Sequence, residues 1–99
     1  MNISYCVYVV QCFDRLYYTG VTNDIDRRLW EHNTGFNKSC YTFKRRPVTL
    51  KYLEEFDDIN EAIDREKQIK GWSRKKKEAL IRDDLIDLVK YSQRRSPNR

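Results

Sequence analysis

Residues 5–35 read YCVYVVQCFDRLYYTGVTNDIDRRLWEHNTG, and the fold turns on how they are read. Residues 5–10 alternate and are rich in Tyr and Val, which is the pattern of a strand. Tyr5, Val7 and Val9 share one face, and Cys6, Tyr8 and Val10 the other. Phe13, Asp14 and Arg15 suit a short hairpin loop. Residues 16–21, LYYTGV, form a second strand with Leu16, Tyr18 and Gly20 on one face. Gly20 falls where that strand ends and permits a close approach of backbone or ligand.

Thr22, Asn23 and Asp24 are helix-start residues, and Gly35 is a fitting stop. Ile25 and Leu29, four apart, mark the buried stripe between them. A step of 100° per residue sets Arg28 and His32 beside that stripe and turns Arg27 and Glu31 away. Helices normally put charge elsewhere, so an inward Arg needs an acidic partner or an anion.

Working outward, residues 35–47, GFNKSCYTFKRRP, interleave basic and aromatic side chains in a long loop. That composition suits phosphate contact with base stacking. The other reading is that Tyr41 and Phe43 anchor the loop on the core. Residues 48–56, VTLKYLEEF, form a third strand, with Val48, Leu50 and Tyr52 on one face. Asp57 or Asp58 caps a second helix that runs to about Gly71. Ala62, Ile63 and Ile69 form its stripe, and Glu66 falls inside it. Asp64, Lys67 and Gln68 fall outside. A lone inward carboxylate is costly unless it is paired or holds a metal. Ser73 restarts a helix through RKKKEALI, and the chain closes on a basic tail, SQRRSPNR.

A chain of 99 residues is one small domain. It has no apolar run long enough for a membrane span and no charged-then-apolar leader. The expected setting is therefore the cytoplasm, away from membranes. Cys6, Cys12 and Cys40 are odd in number and widely spaced, which fits reduced thiols better than disulfides or zinc. The net charge is +5, yet Lys90 to Arg99 hold four basic and no acidic residues. The remainder has 16 basic against 15 acidic, but the signs are segregated. Lys38, Lys44, Arg45 and Arg46 form one basic cluster, and Arg74, Lys75, Lys76 and Lys77 another. Together with Tyr41 they are the candidate nucleic-acid contacts, since segregated cations suit a polyanion.

There is no glycine-rich phosphate loop, no hydrolase triad and no paired zinc-ligand motif. What remains is Tyr8 and Tyr18 on paired strands, Arg28 and His32 on one helix, and Glu66 on another. This set fits metal-assisted phosphodiester hydrolysis. Glu66 would hold one Mg²⁺, an ion that takes oxygen ligands and keeps several waters. Arg28 would grip the phosphate. Tyr18, Tyr8 or His32 would position or deprotonate the attacking water. The competing reading is a buried Arg28–Glu66 ion pair with the tyrosines as core aromatics.

Cys6-Val7-Tyr8, followed ten residues on by Tyr18-Thr19-Gly20, resembles the paired signature of the GIY-YIG nucleases. Arg28 on the first helix and Glu66 on a later one extend the resemblance. YTFKRRPVTLKYLEEF and AIDREKQIKGWSRKKKEALI look like the small stand-alone subgroup of that superfamily, and RRLWEHNTG is similar to the catalytic subunit of branched-DNA nucleases. The resemblance covers residues 4–82. It leaves 83–99 as a C-terminal helical extension and disordered basic tail. It implies an α+β fold, an α/β sandwich with a small three-stranded antiparallel sheet flanked by helices. It also implies a DNA endonuclease using Mg²⁺ or Mn²⁺ with Tyr8, Tyr18, Arg28, His32 and Glu66, in repair or recombination and with a repair protein as partner. The alternatives are a non-catalytic nucleic-acid-binding module and a partner-docking domain. The chain departs from the family pattern at Cys6, at Thr19, and in having no Asn between Asn60 and Asn98.

Overall fold

The computed structural model describes residues 4–36 and 42–83. Lys38, Cys40, Tyr41 and the tail from 84 onward, which carried sequence-based expectations, lie outside the described residues. Three strands, β1 (Tyr5–Gln11), β2 (Tyr17–Thr22) and β3 (Thr49–Phe56), form one antiparallel sheet in the order β2-β1-β3. The helices among the described residues are α1 (Ile25–Thr34), α2 (Ile59–Lys70) and α3 (74–83), with a 3-10 turn at Phe43–Arg45. The expected α+β fold with a three-stranded antiparallel sheet is what forms.

The helix ends are set by the residues that the sequence offered for them. Asp24 caps α1 by accepting the Arg27 amide at 3.1 Å. Gly35 closes it at φ 72, a left-handed conformation that suits glycine. Asp58 caps α2 through the Asn60 amide. Ser73 accepts the Lys76 amide at the start of α3.

Each face of the sheet buries its own apolar cluster. On one face, Tyr8, Val10, Cys12 and Val48 pack with Ile25 and Leu29 of α1. On the other, Val7, Val9 and Tyr52 pack with Ala62 and Ile69 of α2 and with Leu80 and Ile81 of α3. The sheet is thus sandwiched between helical layers, with β1 central and β2 on an edge.

Two local expectations are corrected. Val48, Leu50 and Tyr52 do not share a face. A bulge in β3 pairs Val9 with Tyr52 but Val10 with Leu50, leaving Lys51 as the extra residue. Val48 and Leu50 therefore join the Tyr8 cluster while Tyr52 joins the opposite one. Gly20 does not end its strand. It lies within β2, directly opposite Tyr8.

Candidate active site

The register Tyr8↔Gly20 and Val10↔Tyr18 puts both tyrosines on the α1 face. A Cβ built on Gly20 would lie 2.5 Å from Tyr8 Oη and 2.6 Å from its Cζ. The Tyr8 ring therefore lies across the glycine, and a side chain there would displace it. The aromatic rings then close a triangle. Tyr18 and His32 meet edge-on at 5.2 Å, Tyr8 and His32 at 5.9 Å, and Tyr8 and Tyr18 at 6.3 Å.

One turn of α1 supplies the polar half. Arg28 Nε donates to Tyr8 Oη at 3.1 Å. His32 Nε2 lies 2.9 Å from the same oxygen, and His32 Nδ1 lies 2.6 Å from Thr42 Oγ1. Tyr8 is 0% exposed and Thr42 1%. Burial, and then the charge of Arg28, push the His32 pKa down to about 4. The imidazole is therefore neutral at pH 7, and a neutral imidazole donates through one nitrogen and accepts through the other. Burial works against the Arg28 charge, but hydrogen bonds to Tyr8 and Glu31 outweigh it and raise its pKa. Arg28 Nη1 meets Glu31 Oε1 at 3.0 Å.

Glu66 enters from the opposite layer. Its side chain is 14% exposed, and Oε2 accepts from Lys70 Nζ at 2.8 Å. That hydrogen bond leads the causes that raise the Lys70 pKa, and the Tyr18 phenol adds to them. Tyr18 likewise helps to keep Arg28 charged. Tyr18 itself lies on edge strand β2, its ring against Tyr8 and His32. Next to Glu66, Arg65 is fixed to Glu54 of β3 at 3.0 Å, which holds α2 in register on the sheet.

The sequence-predicted residues fall as follows. Tyr8, Tyr18, Arg28 and His32 converge. The ion pair between Arg28 and Glu66 weighed from spacing does not form: Arg28 takes Glu31 and Glu66 takes Lys70. Glu31, expected to point away, bends back onto Arg28. Of the basic residues, Arg45 meets Asp14 at 2.9 Å. Arg74 binds Glu78 and the Arg15 carbonyl and stacks on Tyr17. Arg46 stacks on Phe43 at 4.5 Å, and Lys76 on Trp72 at 4.4 Å. Lys44 and Lys75 are exposed, and Lys77 is half-buried. Three residues of the site escaped sequence reasoning: Glu31, Thr42 and Lys70. Lys70 and Glu31 had a signal in helical spacing, four residues after Glu66 and three after Arg28, and Thr42 had none.

Among the described residues, no three His, Cys, Asp or Glu side chains group as a metal cage. A single carboxylate with a phosphate at hand still fits Mg²⁺, which is commonly held by one or two carboxylates, substrate oxygens and water. Glu66 is the residue that would hold it. No helix among the described residues is long and apolar enough to cross a membrane. The side chains of Cys6 and Cys12 are buried.

A family model described as the GIY-YIG catalytic domain matches residues 4–79. Among similar proteins, a UPF0213 protein of Halobacterium salinarum is 53% identical over 75 residues, covering 76% of this chain and 96% of that protein. A UPF0213 protein of Staphylococcus saprophyticus is 48% identical, over 76% of this chain and 90% of its own. The solution NMR structure of a UPF0213 protein from Bacillus halodurans aligns with TM-score 0.52 at 38% identity, over 79% and 82% of the two chains. That of a protein from E. faecalis aligns at 0.59 and 37%, over 84% and 88%.

Proposed function

The chain belongs to the GIY-YIG catalytic-domain family, and from that premise we propose that it is a Mg²⁺- or Mn²⁺-dependent endonuclease acting on branched, flap or single-stranded DNA in repair or recombination. The observation that carries the reading is the hydrogen-bonded row Arg28–Tyr8–His32–Thr42, sealed against Gly20. A core made only for stability gains little from enclosing such a row beside a guanidinium.

Tyr8 and His32 are enclosed, so their work is to hold Arg28. A Tyr8 hydroxyl that donates to His32 Nε2 can still accept from Arg28 Nε. Arg28, its side chain 28% exposed, presents its outer edge to a phosphate. Tyr18 is the half-buried phenol of the pair and the one able to meet an attacking water. When bound at Glu66, the divalent ion would stabilise charge on the phosphate and the leaving oxygen. Lys70 must yield Glu66 Oε2 for that binding, and at 51% side-chain exposure it is free to do so at small cost.

The same Glu66–Lys70 pair favours a second reading, a nucleic-acid-binding module without strong catalysis. Labelled single-stranded, flap and four-way-junction DNAs, each incubated with Mg²⁺, Mn²⁺ or chelator, separate the two. The nuclease reading expects cuts that vanish with chelator. Binding without cuts across the panel would leave the module.

A further inference from the structure

Two large aromatic side chains near the C-terminal end of α1 stand in solvent. Trp30 is 56% exposed and Phe36 67%. Their rings lean on each other at 5.9 Å and 49°. Neither belongs to either core cluster. Asn33, between them on the chain, lines a recess of about 570 Å³ with Phe43, Lys44, Arg46 and Pro47. The junction is Gly35, whose built Cβ would lie 2.6 Å from Arg46 Nη1 and 2.8 Å from Phe43 Cε1. Arg46 is held in place, stacked 4.5 Å over Phe43 with Nε donating to the Phe43 carbonyl at 2.7 Å.

Among the described residues, the lining carries two cations and no carboxylate. Open aromatic faces beside fixed cations match a nucleotide, with its base on the ring and its phosphate on the cation. Bases in a duplex are already stacked on their neighbours, so only unpaired ones can lie on Trp30. The 3-10 turn that carries Phe43 follows Thr42, the partner of His32. The platform is therefore continuous with the candidate active site.

We propose that Trp30 and Phe36, with Lys44 and Arg46, form a stacking platform for unpaired nucleotides of the bound strand. The proposal rests on the reading that the chain acts on DNA. It makes unpaired strand, rather than sequence, the feature that is selected.

The test uses the full chain in chelator, so that binding is read without cleavage. Only Trp30 and Trp72 are indoles, so a Trp72→Phe background makes Trp30 the reporter. Oligothymidylate should quench it. Trp30→Ala and Phe36→Ala should each weaken oligothymidylate binding about ten-fold and leave blunt-duplex binding within about two-fold. Trp30→Phe should restore most of the loss. Both side chains are exposed, so melting temperatures should hold. Full oligothymidylate affinity in both alanine variants overturns the platform while the nuclease reading stands. Equal loss on duplex overturns it too. A wild-type protein that binds no DNA removes the platform and the nuclease reading together. Self-association that Trp30→Ala abolishes, with DNA affinity unchanged, assigns the face to a second copy and overturns the proposal.

Discussion

Gly20 and Thr19 are neighbours in β2 and face opposite ways, and their substitutions should have opposite effects. Gly20→Ala drives a methyl into Tyr8, which Arg28 and His32 hold in place. It should cost ~1–3 kcal/mol in chemical denaturation and lower cleavage as well. Thr19 is 2% exposed and its hydroxyl finds no hydrogen-bond partner. Thr19→Val removes that unmet donor and should raise the unfolding free energy by ~1–2 kcal/mol in chemical denaturation without touching the Tyr8 group. His32 sets a pH dependence. Native His32 stays neutral down to about pH 4, whereas its ordinary value is 6.5. Between those values the unfolded chain binds the extra proton, so stability rises with pH. The contribution is complete above pH 6.5 and lost as pH falls to about 4, and is on the order of 3 kcal/mol. His32→Gln should flatten that part of a stability-versus-pH curve. At this scale the sequence disclosed the ring and guanidinium partners, because period and spacing put Tyr8, Tyr18, Arg28 and His32 on facing surfaces. The 100° projection turned Glu31 away despite its spacing from Arg28, since it ignores how far a long side chain bends. Thr42 was hidden because a loop has no period to project.

Among the elements, the helix boundaries were the most legible. Asp24, Gly35 and Asp58 act through local backbone geometry that needs no tertiary context. Strand β3 was not, because alternation assumes an unbroken pleat. The extra residue, Lys51, turns Val48 and Leu50 toward α1 and Tyr52 toward α2. Deleting Lys51 would restore the regular pleat and put one of these sets on the wrong face. The deletion should cost more than an ordinary point substitution, several kcal/mol by core loss, and a melt should show a much lower or uncooperative transition. A deletion variant as stable as the parent would mean that the bulge does not sort the two clusters.

Over the whole molecule, the sandwich explains why the site lies at the β2 edge. Its Tyr8 group belongs to the α1 layer and Glu66 to the α2 layer, and Tyr18, on the edge strand, packs with the Tyr8 group. The sequence disclosed this arrangement only through the family resemblance, since nothing in the chain's periodicity says which helix covers which face. The measurement that tests the account most directly is single-turnover cleavage of a labelled flap DNA in Mg²⁺ by Glu66→Gln beside the wild type, with DNA affinity and melting temperature recorded for both. Loss of a metal ligand worth several kcal/mol predicts cleavage reduced by about a hundred-fold or more, with affinity and melting temperature little changed. A Glu66→Gln protein that cuts as fast as the wild type would contradict it.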